Sequence, residues 1–200
     1  LATNVGSTAF HLAASGGNLE VCKILLENQL DKNAVNNLGE TPLHLAARNG
    51  SLEVCKTLLD NQVEKNLITN LGRTPLHCAA EEGQLQVCKV LLENQVEKNP
   101  GYNNGWTPLH LAASAGHSEV CKLLLENQVD KNPATNDGWT PLHMAAKEGY
   151  LEVCKVLFEN QVVKNPVTIV GWTPLHWAAS EGHSEVCKVL LENQVEKNPI

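Results

Sequence analysis

The chain has 200 residues, 42% hydrophobic and 18% charged, enough apolar content to bury a core, and no apolar run approaches the ~18 residues of a membrane helix, so it is expected to be soluble. With 15 Lys and Arg against 22 Asp and Glu the formal net charge is -7, which excludes the basic footprint of a nucleic-acid binder and favours a neutral or basic partner. The opening LATNVGSTAF carries neither the charged nor the apolar region of a signal peptide and reads as the start of an excised segment.

Six histidines, from His11 to His176, and six cysteines, from Cys22 to Cys187, each recur every 33 residues. A strict period of this length marks a stacked array of small units, here 3–35, 36–68, 69–101, 102–134, 135–167 and 168–200, forming one domain. The first unit is atypical, with Ala9 and Phe10 where the others have Pro and Leu. In the second, Thr41-Pro42 supplies an N-cap hydroxyl and a proline at the first helical position, so a short helix runs through LHLAA and stops near Gly50. A second helix follows through LEVCKTLLDN, where Leu52, Cys55, Leu58 and Leu59 share a stripe. Glu53 and Lys56 pair on its polar side, as do Glu20/Lys23, Glu119/Lys122, Glu152/Lys155 and Glu185/Lys188. In the fourth and fifth units Asn104-Gly105 and Asp137-Gly138 favour the φ > 0 turn of a tight hairpin. The sixth keeps an apolar second helix through Val186, Cys187, Leu190 and Leu191 with no polar cap, which fits a segment of a longer array whose ends can associate with each other.

The GxTPLHxAAxxG core, complete from Gly39, Gly72, Gly105, Gly138 and Gly171, and the EVCKxLL pattern after it make the chain resemble the ankyrin repeats over essentially its whole length. The resemblance implies an α-rich repeat solenoid, with a β-hairpin and two antiparallel helices per unit, stacked into a curved array. It also implies a non-enzymatic module that binds other proteins through hairpin tips and the concave face of the first helices. Two features depart from the family pattern. Ankyrin units close the second helix with glycine, whereas here Asn28, Asn61, Asn94, Asn127, Asn160 and Asn193 precede Gln; Asn tolerates the left-handed conformation and is expected to cap the helix one residue early. Lys32, Lys65, Lys98, Lys131, Lys164 and Lys197 replace a family valine and are expected to form a solvated row, with a Leu or Val two residues earlier restoring the apolar contact.

Each unit offers one periodic His and one periodic Cys, and no C-x-x-C occurs, so neither a metal site, a catalytic constellation nor a cofactor is expected. The periodic histidines should be buried and bonded to backbone or hydroxyl groups around the helix start. His117 and His183 lie outside the series and are expected to be exposed. The cysteines, Cys78 included, read as reduced thiols packed like small hydrophobes, which suits an intracellular, cytoplasmic setting.

Specificity must come from the positions that vary. After the hairpin glycine stand Ser7, Glu40, Arg73, Trp106, Trp139 and Trp172, and Tyr102 adds a fourth hairpin aromatic. Late in the first helix stand Arg48-Asn49, Glu81-Glu82, Ser114-Ala115, Lys147-Glu148 and Ser180-Glu181. On ankyrin geometry both sets border one groove, in which small residues beside Trp106 leave space and Glu81, Glu82, Glu148 and Glu181 supply negative charge. The expected partner is a protein or peptide, as an amphipathic helix or an extended segment with apolar anchors and some Lys or Arg; nucleic acid and membrane insertion are not expected. Two alternatives stand beside this one: the indoles are ordinary hairpin packing, and the array is an architectural spacer or elastic arm of a larger multidomain or membrane-associated protein. Trp177, inside the first helix of the last unit, is expected to pack towards a further repeat.

Overall fold

The computed structural model describes residues 2–193. The chain divides into two compact units, Leu1–Asn103 and Asn104–Ile200. Unit 1 holds α1 (Ala9–Ser15), α2 (Leu19–Glu27), α3 (Pro42–Arg48), α4 (Leu52–Asp60), α5 (Pro75–Glu81) and α6 (Leu85–Glu93). Unit 2 holds α7 (Pro108–Ser114), α8 (Ser118–Glu126), α9 (Pro141–Glu148), α10 (Leu151–Glu159), α11 (Pro174–Ser180) and α12 (Ser184–Glu192). Within each unit the first helices pack in one row and the second helices in another, and each second helix also packs on its own first helix. No helix among the described residues exceeds 9 residues, too short to persist alone, so each is held by its neighbours. None is long and apolar enough to cross a membrane.

The periodic histidines organise the helix starts. In α3, Thr41 N–H donates to His44 Nδ1 at 3.1 Å while His44 N–H donates to Thr41 Oγ1 at 3.4 Å, a capping box with histidine in the usual Glu or Gln place. Because Nδ1 accepts, the ring proton sits on Nε2, and it reaches the next repeat: His11 to Glu40 O at 2.8 Å, His44 to Arg73 O, His110 to Trp139 O and His143 to Trp172 O at 3.0 Å each. The expectation of buried, bonded histidines holds for His11, His44, His77, His110 and His143, whereas His176 in the last repeat is exposed and bonds only around its own helix start; the bond across the repeat adds a role as tie between neighbours.

The second helices end differently from the sequence expectation. Asn61 stays right-handed and donates from Nδ2 to Thr57 O at 2.8 Å, and Gln62 takes the left-handed conformation at φ 57. Gln62 N–H then donates to Leu59 O and Val63 N–H to Leu58 O, the two bonds of a Schellman motif. Gln29, Gln95, Gln128 and Gln161 do the same. The glutamine therefore occupies the glycine slot, because the Asn side chain is already committed to the carbonyl one turn back. Val63, Val96, Val129 and Val162, which follow, are buried and supply the apolar contact expected there, whereas Leu30 is exposed.

The lysine row needs correction as well. Lys32 Nζ donates to Asn61 O, and Lys65 Nζ to Asn94 O at 2.5 Å, so these two half-buried cations cover the carbonyl ends of the next second helices. Beside them Asn33 Oδ1 accepts from Glu64 N–H at 2.9 Å and Asn66 Oδ1 from Glu97 N–H at 3.0 Å. Lys131 and Lys164 are exposed as expected, and Lys197 lies outside the described residues.

Among the described residues no strand forms; the expected β-hairpins are turns and bends with isolated bridges at most, such as Ala2 to Thr8. In the fifth repeat Thr135 N–H donates to Trp139 O at 2.8 Å, but Trp139 N–H returns to the Thr135 hydroxyl at 3.0 Å. A side chain takes the place of the second main-chain acceptor, and the ladder stops after one bond. Only at Asn104-Gly105 are both central φ values positive, 56 and 86; Asp137 leaves that conformation to Gly138.

Candidate partner-binding site

The cysteines belong to the frame. All seven are free thiols, and Cys55, Cys88, Cys121 and Cys154 are buried to the point that desolvation pushes each up to about 12. Burial also moves His44, His110 and His143 down to about 4, so these rings are neutral. Among the described residues no three His, Cys, Asp or Glu side chains converge as metal ligands would. His117 and His183 are half-buried rather than exposed: His183 donates from Nε2 to Lys147 O at 2.9 Å, lying against Gly149, where a Cβ would come within 2.6 Å of the ring.

The varying positions separate by unit. In unit 1 they satisfy one another. Glu40, 5% exposed, pairs with Arg48 at 2.6 Å and accepts from Asn36 Nδ2 at 2.9 Å. One repeat on, the same two positions carry the opposite signs: Arg73 donates to both Glu81 oxygens at 2.6 and 3.2 Å. The Arg73 guanidinium also lies 5.1 Å from the Tyr102 ring centroid and within 3.3 Å of its hydroxyl. Asn49 donates from Nδ2 to Ser15 O and Oγ at 2.9 Å, and Glu82 is exposed at the end of α5.

In unit 2 tryptophan replaces these charges. Each indole lies near the histidine of its own repeat, with centroids 6.0 Å apart for Trp106–His110, 5.9 Å for Trp139–His143 and 6.2 Å for Trp172–His176. Trp177 packs back between two of them, 4.7 Å from Trp139 and 4.4 Å from Trp172, instead of pointing towards a further repeat. The late first-helix positions are short at Ser114, so a pocket of about 310 Å³ opens between Trp106 and Trp139, lined also by Met144, Asp137, Lys147 and Glu148. Lys147 Nζ lies 3.2 Å from Glu148 Oε1 in a partly exposed pair, and Asn104 Nδ2 donates to Asp137 Oδ2 at 2.7 Å. Four of the sequence-selected residues, Trp106, Trp139, Lys147 and Glu148, thus meet at one pocket. Trp172 and Glu181 stand outside its lining, both exposed.

One set of surface residues escaped the sequence reading. Val5, Leu38 and Leu71, each just before a hairpin glycine, are 60%, 61% and 57% exposed, and Val35 and Ile68 are exposed in the same bends. The signal was available, since an apolar residue precedes the hairpin glycine in the first three repeats, and again as Val170 in the sixth, where Asn104 and Asp137 stand in the fourth and fifth.

No curated protein matches the chain. The family model described as Ankyrin repeats (3 copies) matches residues 1–69, 61–135, 97–168 and 128–200, which together span the sequence. Ankyrin repeats generally serve as protein–protein interaction modules and are typically non-enzymatic. With the repeated helix pairs, the TPLH helix starts and these matches in agreement, the chain belongs to the ankyrin repeat family.

Proposed function

We propose that the chain binds a protein or peptide segment on the face of unit 2 bordered by Trp106, Trp139, Lys147 and Glu148, with Trp172 and Glu181 extending the contact. The observation that carries this reading is the pocket between two indoles, lined by apolar and charged side chains together. Tryptophan on a concave, part-polar surface is the composition of an interface hot spot, and acidic neighbours favour a segment that brings Lys or Arg beside its apolar anchors. The seven free thiols suit an intracellular, reducing compartment. In unit 1 the same positions are occupied by internal ion pairs, so Glu40, Arg48, Arg73, Glu81 and Tyr102 fix the scaffold there, with Asn49 and Glu82 at its edge. An architectural arm would have no use for the indole-walled pocket.

The test is a titration of the chain with a peptide selected against it from a random display library, followed by tryptophan emission. All four tryptophans lie in unit 2, so a peptide seated on this face changes the emission. A peptide that binds with no change in emission, and with full affinity for the Trp106→Ala variant, counts against the site.

A further inference from the structure

We propose that the pocket between Trp106 and Trp139 receives an arginine side chain of the partner. This rests on the reading of that face as the partner site and narrows it to one kind of anchor.

The chain itself supplies the precedent. Counting by 33 residues, Ser114 of unit 2 corresponds to Arg48 of unit 1 through Glu81, Trp106 to Glu40 through Arg73, and Met144 to Cys78 through Leu111. In unit 1 the Arg48 guanidinium crosses the space between neighbouring repeats: Nη2 lies 2.6 Å from the Glu40 carboxylate and 3.9 Å from Cys78 Sγ. In unit 2 Ser114 stops short, and the corresponding space above Met144 is the pocket of about 310 Å³. The fold therefore already accommodates a guanidinium in this register, from its own chain in unit 1 and, on this proposal, from the partner in unit 2.

The lining suits the same group. A guanidinium is planar and weakly hydrated and stacks on indole rings, of which Trp106 and Trp139 both line the pocket. Its charge is answered by Asp137 and Glu148; the Glu148 pair with Lys147 is partly exposed and therefore screened enough to rearrange. A primary ammonium is more strongly hydrated and cannot stack in this way, and a purely aliphatic chain would make no use of the Asp137 and Glu148 carboxylates. At about 310 Å³ the pocket is at the small end of ligand sites and is large enough for one arginine side chain.

Met144 is the only methionine, so the chain labelled with 13C-methyl methionine gives one methyl signal, from the pocket itself. Titration with N-acetyl-arginine amide is expected to shift this signal and the Trp106 and Trp139 indole N–H signals saturably. N-acetyl-norleucine amide and N-acetyl-lysine amide should bind about fivefold or more weakly, and Asp137→Asn with Glu148→Gln should weaken the arginine response by a similar factor. Ser114→Arg should shift the Met144 signal without ligand and abolish the response to added arginine. If that variant does not fold, the wild-type titration with the three amides decides alone. No arginine response up to the solubility limit, or an equal response to norleucine or lysine, overturns the proposal. An arginine response together with peptide binding that ignores Trp106→Ala supports the arginine pocket and overturns the partner-site reading, so the two fail separately.

Discussion

His143 donates from Nε2 to the main-chain carbonyl of Trp172, 3.0 Å away in the next repeat, while its Nδ1 accepts from Thr140 N–H at 3.2 Å. The ring can do both only when neutral, so one imidazole holds a helix start and its neighbour's bend, and protonation breaks the arrangement.

Acid should therefore unfold the protein in a defined window. His44, His110 and His143 are each lowered from 6.5 to about 4, mainly by burial. Between those values the unfolded chain binds protons that the folded chain refuses, so the contribution of these histidines is intact above pH 6.5, is lost progressively as pH drops towards 4, and changes no further below. Each histidine accounts for roughly 3 kcal/mol across the window. Urea unfolding at a series of pH values should show this decline; stability constant from pH 7 to pH 4 would contradict it.

The pairs in unit 1 give an asymmetric result on mutation. Arg48→Leu strands the buried Glu40 carboxylate and should cost about 1–3 kcal/mol, because the lost partner leaves a charge without compensation. Adding Glu40→Leu should restore most of that loss. Chemical denaturation of the two single variants and the double variant measures the coupling; simple additivity would mean that the pair does not act as a unit.

The left-handed glutamines are a reserve of stability. Gln62 and Gln95 are exposed at φ 57, where glycine is free of the side-chain clash. Gln62→Gly and Gln95→Gly should each raise stability by about 0.5–1 kcal/mol, while Gln62→Ala gives no gain. Thermal melts of the three variants check the expectation.

Thiol labelling separates the cysteines by burial. Cys187 is the only one of the seven that is not fully buried. Iodoacetamide at neutral pH should modify it first, with Cys55, Cys88, Cys121 and Cys154 reacting only when their repeats open. Peptide mass spectrometry over time gives the order; fast labelling of Cys121 in the native protein would show that the second helices are not packed as described.

Much of the frame was legible because it is local. Thr41-Pro42 and Leu52 mark the starts of α3 and α4 through capping chemistry and apolar spacing that act within one turn. The choice between Asn61 and Gln62 for the left-handed position was not, since it depends on whether the Asn amide finds a carbonyl, a matter of side-chain geometry. Glu40 and Arg48 were both marked as variable, yet their pairing across 8 residues needs the path of the bend and of α3, which no local pattern fixes. Trp177 was misdirected for a related reason: its helix position was plain, but the indoles of Trp139 and Trp172 that draw it back are 38 and 5 residues away in the chain. For the candidate site, the letters Trp106, Trp139 and Ser114 stood out in the sequence, and their meeting at one pocket required the fold.

The account rests most on the face of unit 2, and it is tested most directly by calorimetric titration of a library-selected peptide into the wild-type chain and the Trp106→Ala/Trp139→Ala double variant, with circular dichroism confirming that both are folded. The expected result is an affinity loss of about 30-fold or more, as for removal of two hot-spot side chains. Affinity unchanged in the double variant would contradict the account and move the binding surface elsewhere on the repeats.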